Sequence, residues 1–152
     1  MSRGKLALQY FEEGYNCSQA VVLAFADLLD IDFKQAAKLA SGFGGGMGRL
    51  REVCGAVSGM FMVVDMLYGY DSPDKGEKKK ELYSRIQELG LQFEKDNGSL
   101  ICREIMKLNV KHDDPTPTQR TPDFYQTRPC PNKIFYAANL LEEYINNHPY
   151  KV

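Results

Sequence analysis

The chain has 152 residues, enough for one domain that buries a hydrophobic core of its own. It is 43% hydrophobic and 26% charged with a formal net charge of −1, so it has no basic excess for nucleic acid or an anionic membrane, and no acidic tail. The apolar run Met60 to Val64 is far too short to span a bilayer. Acids at Glu12 and Glu13 interrupt the first stretch, which lacks the apolar region of a signal peptide, so a cytoplasmic location is expected.

Helical periodicity dominates. Residues 3–13 read as a first helix with Leu6, Tyr10 and Phe11 on one side, ended by Gly14. Asn16 reads as the N-cap of a second helix over residues 17–29, with Val21, Ala24, Phe25 and Leu28 as its buried stripe. Asp32 caps a shorter third helix, "FKQAAKLA", which runs into the glycines of "SGFGGGMG". A fourth helix over residues 54–68 is apolar almost all round, with Asp65 as its only charge, and belongs in the centre of a bundle. Gly69 is placed to stop it.

The next segment is charged and amphipathic. Ser72 can cap it, Pro73 suits the first helical position and Asp74 suits the dipole, while Leu82, Ile86, Leu89 and Phe93 form its packing seam. Asn97 and Gly98 break that helix, and Ser99 opens a short one through Cys102 to near Leu108. Residues 110–129 hold four of the seven prolines without apolar periodicity, an irregular loop of a length expected only where it covers something. A last helix starts at Cys130–Pro131 and fades at His148. The expectation is a single all-α domain over residues 1–152, a bundle of about six or seven helices.

The four cysteines, Cys17, Cys54, Cys102 and Cys130, each fall at or near an expected helix N-terminus. There the free amides and the positive end of the dipole stabilise an anion, which lowers a thiol pKa. No Cys-x-x-Cys is present, so a shared site has to be assembled by tertiary folding. The glycine run lacks the Gly-Lys-Ser/Thr ending of a phosphate loop and follows a helix. Gly44, Gly45 and Gly46 can form a small anion-binding nest beside Arg49 and Arg51, or simply a sharp turn. Gly55 and Gly59 let a ligand or another backbone approach the fourth helix. Glu52 reads as a helix-start acid. His112 lies in the proline-rich loop and His148 at a frayed end.

Cys17, then "CGAVSG" from Cys54 to Gly59 after a glycine-rich loop, then Cys102 and Cys130, resembles the redox-active protein family labelled C_GCAxxG_C_C. The resemblance covers nearly the whole chain from Asn16 onward. It implies a small, mostly helical protein with thiol redox or metal-linked activity. Relatives with selenocysteine at a cysteine position point to nucleophilic redox chemistry, and relatives beside transporter genes imply a link to a transporter system.

Three functions follow. The first is a thiol-based oxidoreductase acting with an unidentified redox partner. In it Cys54 attacks, one of Cys17, Cys102 or Cys130 resolves, and the glycine loop keeps Cys54 accessible. The second is a metal protein in which Cys17, Cys54, Cys102 and Cys130 ligate zinc or an iron–sulfur cluster. The third is a helical interaction module whose cysteines are merely buried. The apolar fourth helix is compatible with a homodimer but does not require one.

Overall fold

The computed structural model describes residues 1–73 and 76–150. Among these residues the chain is all-α, and its only extended pairing is an isolated bridge between Val53 and Ile101. The helices are α1 (Arg3–Glu12), α2 (Cys17–Leu23), α3 (Phe33–Ala40), α4 (Gly44–Met47), α5 (Gly55–Tyr68), α6 (Glu77–Asn97), α7 (Cys102–Ile105), α8 (Pro122–Thr127) and α9 (Cys130–Asn147). Among the described residues no helix is long and apolar enough to cross a membrane.

Local chemistry sets the early helix starts. Ser2 accepts from the Lys5 amide, and Asn16 and Asp32 each form a reciprocal capping box, with Gln19 and Gln35. Each such cap stabilises its helix by about 1 kcal/mol.

The core is built around α5. Ala56, Val57, Met60, Val63 and Val64 are fully buried where it packs on α2, α6 and α9, and only Asp65 and Met66 face outward. Helix α2 lies unusually close, because a Cβ at Gly59 would stand 2.7 Å from the Ser18 carbonyl oxygen. Helix α1 approaches α9 in the same manner, with the Gly4 amide donating to Asn139 Oδ1 at 2.9 Å. Helix α6 contributes Leu82, Leu89 and Phe93 to the core and, as its seam predicts, the partly buried Ile86.

Four expected boundaries differ. Helix α2 stops at Leu23 and continues as a 3₁₀ turn, Ala26–Leu28, because Arg3 of α1 reaches across its end. The Arg3 guanidinium donates to the Ala24 carbonyl at 2.8 Å, stacks 5.0 Å from the Phe25 ring centroid and pairs with Asp27. Helix α6 begins at Glu77 after Gly76 (φ 123°), so Ser72 and Pro73 precede it in an irregular bend; Asp74 lies outside the described residues. Helix α7 begins at Cys102 instead of Ser99, because Ile101 is held extended by its bridge to Val53. The proline-rich loop contains α8, whose N-cap Thr121 accepts from the Phe124 amide with Pro122 in the first turn.

Candidate thiol site

All four cysteines reach helix starts, as their sequence context suggests. Cys17, Cys102 and Cys130 are the first residues of α2, α7 and α9, and Cys54 is the N-cap of α5. All four are free thiols, and all line one cavity of about 400 Å³. The Val53–Ile101 bridge brings two of them together: the Cys54 amide donates to the Leu100 carbonyl at 2.8 Å and the Cys102 amide to the Glu52 carbonyl at 2.6 Å. Cys17 is set by Asn16, whose Oδ1 caps α2 while its Nδ2 donates to the Ser41 carbonyl at 3.0 Å, tying the glycine loop to the helix start.

The glycine loop is a run of left-handed backbone. Gly45, Gly46, Met47, Gly48, Arg49 and Arg51 all have φ between 59° and 71°. For Met47, Arg49 and Arg51 this conformation costs roughly 1–2 kcal/mol each. Hydrogen bonds to neighbouring segments offset that cost. The Arg49 side chain donates to the Asp114 carbonyl at 2.7 Å, its carbonyl accepts from the Asp113 amide at 2.9 Å, and Arg103 donates to the Arg51 carbonyl at 3.1 Å. Backbone of this kind persists only where its surroundings hold it.

What the strain achieves is the placement of Arg51. Its side chain is almost completely buried, with Nε on Asp113 at 2.8 Å and Nη1 at 3.5 Å from both Cys102 Sγ and Met106 Sδ. Burial alone would weaken its charge, but Cys102 and Asp113 hold the guanidinium above its ordinary range. The proline-rich loop does cover something: Pro115, Pro117 and Thr118 roof the cavity. Arg120 fastens that roof, stacking 4.2 Å from the Phe11 ring centroid and donating to the Phe11 and Tyr15 carbonyls at 2.9 and 3.0 Å.

The helix-start argument predicts lowered thiol pKa values, and for three cysteines the net direction is the reverse. Burial pushes Cys17, Cys54 and Cys130 up, Cys130 to about 12, and the nearby sulfurs add to the shift. Backbone amides oppose it, those of Gly45 in the glycine loop and Ser18 at the α2 start for Cys17, and those of Ala56 and Val57 at the α5 start for Cys54. Desolvation wins because the thiols lie under a roof. Cys54 is also less accessible than its glycine-rich flank suggests, at 9% exposure.

Of the glycines singled out from the sequence, Gly44, Gly45 and Gly55 line the cavity. Gly46 lies beneath Cys102, where a Cβ would stand 2.5 Å from the cysteine Cβ, while Gly59 faces α2. Glu52 pairs with Arg103 at 2.9 Å. His112 is exposed and away from the cavity, whereas His148 is partly buried, stacked on Tyr144 at 3.9 Å. Met106, Arg128 and Lys133 also line the cavity and escape the sequence reading; a Met four residues after Cys102 on a helix was the available signal. Among the described residues no group of three or more His, Cys, Asp or Glu side chains is placed to hold a metal ion.

A family model described as "Putative redox-active protein (C_GCAxxG_C_C)" matches residues 15–144. That span contains all four cysteines and every residue of the cavity except Phe11. No curated protein matches the chain. No solved structure matches it.

Proposed function

The chain belongs to the C_GCAxxG_C_C family of redox-active proteins, and from that premise we propose a thiol–disulfide redox protein working from a single cavity, with Cys102 as the first thiolate. The observation that supports this reading most directly is the buried Arg51 guanidinium 3.5 Å from Cys102 Sγ. The guanidinium donates to that sulfur and sets a fixed positive charge beside the atom that attacks in thiol exchange. The motif cysteine Cys54 lacks such a partner among the described residues, and burial holds it protonated.

The thiolate of Cys102 attacks one sulfur of a disulfide substrate. The new Sγ–S bond forms as the substrate S–S bond breaks, and the departing sulfur leaves as a thiolate with the electron pair. A second protein thiol then attacks Cys102 Sγ, passing its proton to the other half of the substrate as that half departs. Cys17 suits that step, because its sulfur lies near enough to feel those of Cys54, Cys102 and Cys130. Two cysteines are oxidised to one disulfide and the substrate is reduced to two thiols, which take up the two cysteine protons. An external dithiol reverses the sequence and restores the reduced protein.

The test is oxidation of anaerobically purified, reduced protein by substoichiometric disulfide, with mass mapping of adducts and bound metal measured on the same sample. Paired loss of thiols, with the first adduct on Cys102 and its loss in Cys102→Ser, is the expected outcome. A first adduct on Cys54 returns the attack to the motif cysteine. Stoichiometric zinc or iron released as thiols become titratable replaces the reading with a metal centre, and four inert thiols replace it with an interaction module.

A further inference from the structure

Most of the thiol cavity's wall is apolar, and the charged side chains that line it are all cations. Arg49, Arg51, Arg120, Arg128 and Lys133 all line it, and among the described residues no carboxylate does. The acid closest to this group is Asp113, whose Oδ2 serves both Arg51 at 2.8 Å and Arg49 at 3.7 Å. One carboxylate therefore stands against two guanidiniums. Among the described residues Arg128 meets the Thr118 hydroxyl at 3.0 Å, the Met106 sulfur at 3.9 Å and the Phe124 ring, 4.7 Å from its centroid, Lys133 meets Asn97 Oδ1 at 2.9 Å, and neither pairs with a carboxylate. Burial above all, with Arg51 and Arg49 adding to it, holds Arg128 below its ordinary range.

A chain with a net charge of −1 has no general surplus of cations to scatter. Partly buried cations that outnumber their counter-charges raise the free energy of the empty protein, and an anion entering the cavity relieves that repulsion. Arg49 and Arg128 present planar donors suited to carboxylate or similar oxygens, and Gly45 lines the same space. A cavity of about 400 Å³ suits a small molecule and is too confined for a folded protein partner.

We infer that the substrate of this cavity is a small anionic disulfide, its acidic groups held by Arg49, Arg128 and Lys133 while its sulfurs face Cys102. The inference rests on the thiol–disulfide reading for the identity of the reacting atoms, and on the charge of the wall for the anion. The chemical step is the exchange already written, with an external dithiol as reductant. The wall orients the substrate and stabilises the thiolate that departs.

Two measurements on the reduced full-length chain separate the two parts. Suberate, a redox-inert dicarboxylate, is titrated by calorimetry against octanediol and diaminooctane of the same chain length. Dithiodipropionate, hydroxyethyl disulfide and cystamine, which differ chiefly in charge, are compared as oxidants by stopped flow. Suberate is expected to bind while the diol and diamine do not, and the anionic disulfide is expected to react fastest. Arg128→Gln and Lys133→Gln should each weaken suberate by about tenfold or more. The wild type alone supplies a control independent of folding: raising salt from about 0.05 to about 0.5 M should erase most of the charge preference. Equal binding of the three probes, or none, overturns the anionic assignment whatever the thiols do. Suberate binding without oxidation by any disulfide overturns the disulfide assignment together with the redox reading. Oxidation indifferent to oxidant charge overturns the anionic substrate while leaving thiol exchange in place.

Discussion

The sulfur of Cys17 occupies the space that a side chain at Gly55 would fill: a Cβ built there would lie 2.2 Å from Sγ. The glycine after the motif cysteine is thus a seat for a different cysteine, thirty-eight positions earlier in the chain. Gly55→Ala should displace Cys17 and cost about 1–3 kcal/mol through overpacking. Urea unfolding measures the cost, and alkylation with mass mapping should show a changed Cys17 rate while the rate at Cys130 is retained. An unaltered Cys17 would break the link. Gly59→Ala should cost at least as much, since it meets the Ser18 carbonyl oxygen at 2.7 Å on a rigid helix.

At the same α2–α5 contact, Ser18 is fully buried, and its hydroxyl is the one buried side-chain polar atom among the described residues without a hydrogen-bond partner. An unsatisfied hydroxyl costs about 1–3 kcal/mol, so Ser18→Ala is expected to be neutral or to stabilise by about 1 kcal/mol. A shift of the urea midpoint to lower concentration would show that the hydroxyl has a structural partner after all.

Burial of the thiols sets a pH dependence. Unfolded cysteines ionise near pH 8.5 or so, whereas the Cys130 thiol in the fold is held up to about 12. Between these values the folded state keeps a proton that the unfolded state has lost, so stability falls as pH rises. Cys17 and Cys54 shift in the same direction and add to the slope. Denaturation midpoints measured across this window should decline in the wild type and decline less in Cys130→Ser. Parallel profiles for the two proteins would contradict the assignment.

The roof over the cavity depends on Arg120, which stacks on Phe11 and Phe124 at 4.2 and 4.8 Å and donates to two carbonyls at the α1 end. Arg120→Ala should remove about 2 kcal/mol of cation–π and hydrogen-bond stabilisation. Its second effect is kinetic: limited proteolysis within residues 110–121 should accelerate, and with it alkylation of Cys130 and Cys17. A destabilised protein with unchanged proteolysis and alkylation would show that Arg120 supports the core alone.

By itself the sequence determined whatever depends on neighbours a few positions apart. The capping boxes at Asn16 and Asp32, the apolar α5, the seam of α6 and the location of Cys17, Cys54 and Cys130 at helix starts all follow from bonds or contacts that close within one or two turns. The Thr-Pro-Asp start of α8 was equally local, but it stood inside a proline-rich stretch that lacks apolar periodicity. Only the tertiary structure decided the rest. Arg3 ends α2 from α1, the Val53–Ile101 bridge delays α7, and Arg51 reaches a sulfur fifty-one positions away. The direction of the thiol shifts was settled there too. Helix-start amides are a local influence, desolvation is a sum over everything that closes around an atom, and under the proline-rich roof that sum is the larger.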